Sequence, residues 1–411
     1  MDAISAALSA PNRFSPAMNS FGYRLSAQFS VNKAYRRPKE LEWLESLRQY
    51  KGLYDPDIKI EQNCSKVYPK ITRSKVNIVL SRLHEMLFPE TDKNWEIEST
   101  PEPKIAKEIV VEIAKALFQQ NPETGEIKPP SLDELRIAIK EFAKKTCESM
   151  SSEIDDQLIE MDYKEETKKV LRSGLLYGTG IMKGPMIKTR SKRKWEPLSN
   201  GNYEEKTEND QLPDLQFTRI WDWYPDMSVT ELEQMDGSFE RHVLNKHDLR
   251  KFMAKDGFYK DVIEKYIRDN PEGNYTPEFF EVELQTIEME AGSGQSTVGS
   301  SSTTREESSH RQVGRRYELA EFWGYVDGHD MEACGINVPD VSLEYGCNAW
   351  ILGDKIIAVF LFERALDQYK VFYYEKDETS IFGEGLARIM RHSTIAIAAA
   401  ARMVLDNGAC L

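Results

Sequence analysis

The stretch that decides the fold is the C-terminal segment Ile381-Phe-Gly-Glu-Gly385-Leu-Ala-Arg-Ile-Met390-Arg-His-Ser-Thr-Ile395-Ala-Ile-Ala-Ala-Ala400-Ala-Arg-Met-Val-Leu405-Asp-Asn-Gly-Ala-Cys410-Leu411. Five of the six residues from Ala396 to Ala401 are alanine, which combines high helix propensity with little side-chain bulk. The pattern predicts a slender helix that packs closely against identical copies of itself.

Charged residues of this segment are predicted to share one face of the helix. At about 100° per residue, five of them fall within a stripe roughly 60° wide, interrupted by Ile395 and Ala399: Glu384, Arg388, Arg391, Arg402 and Asp406. A slim helix with one charged stripe suits the wall of a packed ring. The alternative is an ordinary amphipathic helix of a globular core. A membrane span is excluded here, because the arginines interrupt the apolar run well before about 20 residues.

Composition limits the class of protein. The chain has 411 residues, enough for two or three domains, and 30% of them are charged. Its formal net charge of −14 argues against static, tight binding of DNA, since proteins with that task are usually basic. An acidic wall would still let a polyanion slide past without sticking. Plain solubility is the alternative explanation for the charge.

Cysteine usage and the N-terminus indicate a protein of a reducing compartment. The five cysteines are scattered and odd in number, without zinc spacing or a disulfide framework. We therefore predict free thiols and no metal site. The N-terminal residues lack the apolar core of a secretory leader.

Hydrophobic periodicity predicts an α+β fold. Residues 1–35, rich in Ser and Ala, are predicted to form a flexible arm. Helices are predicted over residues 36–52, 70–88, 104–118, 132–177 (with a break near 149–152) and 247–269. Strands are predicted over residues 95–98, 180–188, 215–223, 318–326 and 369–374, and a hairpin over 347–352 and 355–362 around Gly353-Asp354. Periodicity does not decide between helix and strand for residues 278–290, and the low-complexity segment 291–311 is predicted to be disordered.

Three motifs invite a functional interpretation. The segment from Gly178 to Pro185 superficially resembles a phosphate loop, but Pro185 stands where a Walker loop needs Ser or Thr, so a helix-to-strand turn is the better interpretation. Residues 188–194 are basic enough to contact phosphates, yet a solvated hairpin tip beside acidic residues is favoured. The aromatic run from Trp221 to Asp226 is expected to pack at a domain corner rather than stack on bases.

Catalytic groupings are missing from the sequence. The six histidines are spread out, and no nucleophile elbow, zinc-protease motif or cysteine nucleophile signature occurs. The sequence therefore predicts a protein that is not an enzyme and that needs no cofactor.

Three segments, in this order, resemble the portal proteins of short-tailed bacteriophages: Tyr177 to Pro185, Trp221 to Asp226, and Phe382 to Leu386 leading into Arg402 to Asn407. The resemblance covers most of the chain after about residue 36. It implies a portal fold with a helical/β wing at 36–275, a first stem segment and a small β-rich clip at 276–380, and a second stem helix at 381–411. Portal chains usually continue beyond this helix into a tunnel loop, so we expect this sequence to be a fragment of a longer protein.

The resemblance further implies function and partners. A portal is a homo-oligomeric ring, usually a dodecamer, at one vertex of the capsid, and it would be assembled in the host cytoplasm and kept in the virion. Double-stranded DNA passes through its channel during packaging and ejection, while the terminase, a tail adaptor protein and the major capsid protein dock on it, with no membrane involved. The five charged residues of the stripe then become candidates for the channel wall or for contacts between stem helices. We favour pairing between subunits for at least one arginine, because three arginines per subunit facing the lumen would make a channel to which DNA sticks.

Two other functions stay open at this point. Another virion structural or scaffold protein without a DNA channel would use the same helix and hairpin elements. A nuclease or nucleotide-hydrolysing packaging motor is the enzymatic alternative, and the missing phosphate loop speaks against it.

Overall fold

The computed structural model of the protein describes residues 15–61, 64–89, 95–117, 119–120, 127–128, 131–197, 203–293 and 315–409. The fold is α+β, as predicted, with 51% of the residues helical and 22% in strands. The helices are α1 (Pro16–Lys51), α2 (Ile71–Leu87), α3 (Lys107–Ala116), α4 (Leu132–Glu160), α5 (Tyr163–Tyr177), α6 (Lys246–Phe252), α7 (Lys260–Asp269), α8 (Phe279–Ser293), α9 (Gly328–Ala333), α10 (Leu386–Ile389) and α11 (Arg391–Ala409). The strands are β1 (Gln119–Gln120), β2 (Ile127–Lys128), β3 (Thr179–Pro197), β4 (Tyr203–Thr218), β5 (Trp223–Pro225), β6 (Gly237–Asn245), β7 (Arg316–Asp327), β8 (Glu344–Leu352), β9 (Lys355–Leu361) and β10 (Tyr369–Tyr373).

The chain divides into two compact units, each built from separate stretches of sequence. The larger unit comprises Met1–Arg82, Glu166–Gly184 and Gln216–Leu411, and the smaller unit comprises Leu83–Glu165 and Pro185–Leu215. The boundaries predicted at residues 275 and 380 both fall inside the larger unit.

Helix α1 overturns the prediction of a flexible arm for residues 16–35 of the predicted range 1–35. The Ser15 side chain accepts a hydrogen bond from the Met18 amide, and Pro16 occupies the first helical turn, where its missing N–H is harmless. Four apolar side chains along the first half of α1 are buried in the core of the larger unit, because they recur every three or four residues and so share one face: Met18, Phe21, Leu25 and Phe29. Residues 1–14 of the predicted arm lie outside the described part of the chain.

An antiparallel sheet in the order β5-β6-β7-β8-β9 forms the centre of the larger unit. The hairpin predicted around Gly353 is confirmed as β8–β9, with Leu352 opposite Lys355 and Gly353 at a φ of 65°. Strands β5 and β6 precede residue 275, so the predicted clip shares one sheet with the predicted wing. A second sheet has the order β10-β3-β4, and β10 pairs with the first residues of β3, from Thr179 to Lys183.

The remaining helix predictions are partly confirmed. The long helix predicted over residues 132–177 consists of α4 and α5, and it breaks at Asp162, which has a φ of 53°, rather than near residues 149–152. Residues 247–269 form two helices, and residues 278–290 are helical in α8. Residues 95–98 do not form the predicted strand. Of the segment predicted to be disordered, residues 294–311 lie outside the described part, and the first three end α8.

Among the described residues, three large apolar clusters and a smaller one around Tyr54, Ile60 and Ala398 make up the core of the larger unit. One lies between α1 and the five-stranded sheet, one surrounds Trp43, Trp221 and Trp223, and one lies between α6, α7 and the sheet. No helix in the described ranges combines the length and the apolar character that crossing a membrane would take.

Candidate assembly site at the C-terminal helix

Helix α11 is confirmed, but the predicted stripe is not continuous along it. The chain turns at Met390, so that Arg388 lies in the short helix α10 and α11 begins at Arg391. Glu384 is in neither helix: its backbone amide donates a 2.8 Å hydrogen bond to the carbonyl oxygen of Glu375 in an isolated β-bridge. The stripe of five residues on one helix is therefore wrong, because sequence spacing takes no account of the turn.

The two arginines at the turn pair within their own chain. Arg391 lies 2.7 Å from Glu45 and 3.0 Å from Asp55, measured between guanidinium nitrogens and carboxylate oxygens. Arg388 lies 3.4 Å from Glu45 and 3.6 Å from Glu42. Burial raises the pKa of Asp55, although Arg391 opposes this rise. In the single chain these arginines are thus held by carboxylates of α1 and of the loop after it, so the pairing between subunits that we favoured is not needed to neutralise them.

Further along α11, the remaining charges of the stripe also face residues of the same chain. The guanidinium of Arg402 lies 5.0 Å from the ring centre of Tyr54, and its Nε is buried without a hydrogen-bond partner among the described residues. The Asp406 carboxylate accepts a 2.7 Å hydrogen bond from the Ser65 backbone amide. The charged side of α11 therefore covers the chain that follows α1.

The opposite side of α11 is apolar and exposed. Met403 and Val404 are 66% and 71% exposed, and Ile397 is 46% exposed, with Ala396 and Ala400 between them on the same side. Exposed apolar residues that share one helix face commonly mark a contact with another molecule. This surface, which we call the outer face of α11, carries no charged side chain along Ala396–Val404.

The three segments that carry the resemblance meet where α10 begins. Gly178 has a φ of 94°, and a Cβ added there would lie 2.0 Å from the Gly383 carbonyl oxygen. The Gly383 amide donates a 3.0 Å hydrogen bond to the Thr179 hydroxyl. Trp221 packs against Tyr177, and Trp223 packs against Phe382, with ring centres 5.6 and 5.8 Å apart. We call this meeting point the motif junction.

A buried arginine ties α1 to the motif junction. The Arg36 guanidinium is fully buried and donates to the carbonyl oxygens of Ile220, Trp221 and Trp223. It also pairs with Glu40 at 2.6 Å. Five N–H donors in a rigid fork let one side chain satisfy several carbonyls at once. The aromatic run Trp221–Asp226 is consequently a packed corner, as predicted.

Strand β3 leads from the motif junction to a buried cluster of charged side chains that the sequence analysis did not predict. Lys183, at the end of the glycine-rich segment, places its ammonium 2.5 Å from Glu321 and 2.7 Å from Glu240. Glu321 also lies 2.8 Å from the Nε2 atom of His242 and accepts hydrogen bonds from Trp323 and Asn348. Burial alone would raise the pKa of Glu321, but Lys183 and His242 hold it at about 2.

This cluster argues against the phosphate loop and offers no free metal site. Lys183 is 4% exposed and fully engaged, so its ammonium does not reach out to a ligand. Within the described residues, the ligand atoms of Glu240, His242 and Glu321 lie close enough to hold a metal ion. The Lys183 ammonium already contacts both carboxylates, so a divalent ion would have to displace it. The helix-to-strand turn predicted here is confirmed, with Gly178 and Gly184 at positive φ.

The basic run 188–194 lies within strand β3 and not at the hairpin tip that we favoured. The partner strand β4 supplies carboxylates: Lys188 lies 3.6 Å from Asp214, and Arg193 lies 3.3 Å from Glu205. Residues 198–202, which connect the two strands in sequence, lie outside the described part. No protein-family model matches this sequence, and the comparison with curated proteins gives no match.

Proposed function

We propose that this chain is the subunit of a portal, a ring at one vertex of a bacteriophage capsid through which double-stranded DNA is packaged and ejected. The terminase, a tail adaptor and the major capsid protein would be its partners. The observation that carries this proposal is the motif junction. Three segments that resemble portal proteins, separated by about 40 and about 160 residues, meet at one point and fix the base of α11.

The outer face of α11 supports a contact between copies. Alanines at 396 and 400 let a neighbouring backbone approach closely, and Met403 and Val404 supply apolar surface to bury. A contact between two different surfaces closes into a ring without any self-complementary patch. Here the contact between stem helices is apolar, and the arginines serve to fasten α11 to its own chain.

The proposed channel wall differs from the first expectation. Arg388 and Arg391 are neutralised by carboxylates of the same chain, and Arg402 is stacked on a tyrosine. None of the three is therefore assigned to DNA. With a net charge of −14 per chain, a ring of many copies would repel rather than hold the phosphates of a passing duplex.

Electron microscopy of the purified chain tests the proposal. We expect closed rings with a central hole, and we expect Val404→Lys to prevent them by placing an unpaired charge in the contact. Lys370→Glu, which changes an exposed side chain on β10, should leave ring formation intact. Monomers, solid shells or filaments from the unaltered chain would contradict the proposal.

A further inference from the structure

The smaller unit has very little core of its own. In its described residues, the apolar side chains that are buried are Ala143 and Met161. Large apolar side chains that are exposed in the single chain include Met86, Val111, Leu132, Ile137, Phe142, Met150, Ile159, Ile187 and Trp195. A unit with so little buried apolar surface is not stable by itself and needs a second surface to cover it.

Helix α4 carries a long apolar surface in this unit, and α3 covers only part of it. Apolar side chains form one stripe over its length, spaced three or four residues apart: Leu135, Ile139, Ala143, Cys147, Met150, Ile154 and Leu158. The stripe runs for about 35 Å, at 1.5 Å per residue. Ala143 is buried, Met150 is 50% exposed, and the others are half-buried. A stripe that is only half covered has room for another apolar surface.

Charges flank this stripe asymmetrically. At about 100° per residue, the exposed side chains of Arg136, Lys140 and Lys144 lie along one side of it, and we call them the basic edge. The exposed side chains of Glu153, Asp156 and Glu160 lie along the opposite side, and we call them the acidic edge. The two edges are also in different halves of the helix, with centres about 16 residues, or about 24 Å, apart.

We infer that α4 joins successive copies of this chain, with the basic edge of one copy against the acidic edge of the next. The helix is complementary in charge to a parallel copy of itself that is shifted by about 24 Å along the axis. A copy placed antiparallel would bring like edges together instead, because the same side of each helix then meets. The occupant is therefore a second copy of this chain.

A contact between two different edges is heterologous, and contacts of this kind build rings or open chains rather than closed dimers. The inference thus rests on the proposed ring and assigns one of the contacts between its subunits. It uses a surface separate from the outer face of α11. The contact would also cover apolar surface of a 29-residue helix in which Ala143 is the one buried residue of the single chain.

Charge reversal on each edge tests this contact. One variant carries Lys140→Glu and Lys144→Glu, and a second carries Glu153→Lys and Glu160→Lys. All four side chains are exposed, so circular dichroism of each variant should match that of the unaltered chain. Because attraction becomes repulsion at each contact, we expect self-association of either variant alone to weaken by roughly tenfold or more. The mass would be followed by light scattering and native mass spectrometry over a range of salt concentrations.

Mixing the two variants in equal amounts is the decisive step. One variant then has two acidic edges and the other has two basic edges, so alternating copies should associate again. Arg250→Glu with Lys260→Glu is the matched control: it removes two exposed positive charges on α6 and α7, makes the same change in net charge as the first variant, and should leave association intact.

The outcomes separate this contact from the ring itself. Closed rings formed equally well by both variants would overturn the α4 contact and leave the portal proposal standing. Open chains or small oligomers that the variants abolish and their mixture restores would support the α4 contact and contradict the portal. Loss of association that mixing does not restore would overturn the pairing of basic with acidic edges.

Discussion

Replacing Lys183 with methionine removes one charge from a buried ion cluster and keeps a side chain of similar length. The ammonium contacts Glu321 at 2.5 Å and Glu240 at 2.7 Å. Removing one partner of a buried ion pair typically destabilises a protein by about 3–5 kcal/mol, because the other charge stays buried without compensation. Glu321 keeps its hydrogen bonds from Trp323 and Asn348, so we expect Lys183→Met to lower the free energy of unfolding by about 3 kcal/mol, the lower end of that range.

The measurement is urea unfolding of the dilute chain at pH 7, followed by tryptophan fluorescence, since Trp323 donates to the cluster itself. Lys370→Met is the control: this lysine lies on β10 in the neighbouring sheet, its side chain is 65% exposed, and its loss should change stability by less than about 0.5 kcal/mol. Lys183→Met leaves two carboxylates without their partner, and adding Glu321→Gln removes the more deeply buried one, so it should restore part of the lost stability.

Two results would refute this reasoning. A loss below about 1 kcal/mol for Lys183→Met would mean that water or a rearranged side chain neutralises the carboxylates as well as the lysine does. A double variant that is less stable than Lys183→Met would mean that Glu321 contributes mainly through its hydrogen bonds and not through its pairing with the lysine.

Two further predictions follow from the same region. Gly178→Ala should destabilise the chain by more than about 2 kcal/mol, because φ is 94° and the new Cβ would lie 2.0 Å from the Gly383 carbonyl oxygen. The control is Gly408→Ala, whose new Cβ meets nothing within 4 Å and which should be neutral or stabilising. Thermal unfolding of both variants measures the difference. The pKa of Glu321 in the folded chain, about 2, is below its ordinary value of 4.5, so its contribution to stability is fully present above pH 4.5 and is lost as the pH falls towards 2. Unfolding measured from pH 7 to pH 3 should therefore be less pH-dependent in Glu321→Gln than in the unaltered chain, and equal slopes would contradict the depressed pKa.

The sequence predicted those helices and strands whose characteristic residues lie close together along the chain. The alanine run predicts α11, and the pair Gly353-Asp354 between two apolar runs predicts the β8–β9 hairpin. Helix α1 was predictable from the spacing of its apolar residues, but the Ser- and Ala-rich composition of this segment led to the prediction of a flexible arm. Its first half has Ser and Ala on the outside, yet Met18, Phe21, Leu25 and Phe29 keep helical spacing and lie next to a capping serine.

The charge cluster had no such signal. Lys183, Glu240, His242 and Glu321 come from three strands, and nothing in a window of the sequence relates them. The wrong prediction of a continuous charged stripe in the C-terminal segment has the same cause. The turn at Met390 and the carboxylates that hold Arg391 are tertiary features, so a projection on one ideal helix brought Glu384 and Arg388 into a stripe that the folded chain does not form.

The direction of the α11 charges bears on how a ring of this kind could conduct DNA. Arginines on the lumen side would bind phosphates in every subunit and would make translocation steeply dependent on salt. In this chain Arg391 instead forms two close ion pairs beneath the helix, and Asp406 is held by a backbone amide. The charges thus fix how α11 is rotated about its axis, and that rotation presents the apolar residues Met403 and Val404 outwards. On this argument, the α11 contact between adjacent subunits of the proposed ring would be apolar and insensitive to salt, while the net negative charge of the chain would keep DNA from adhering to the wall.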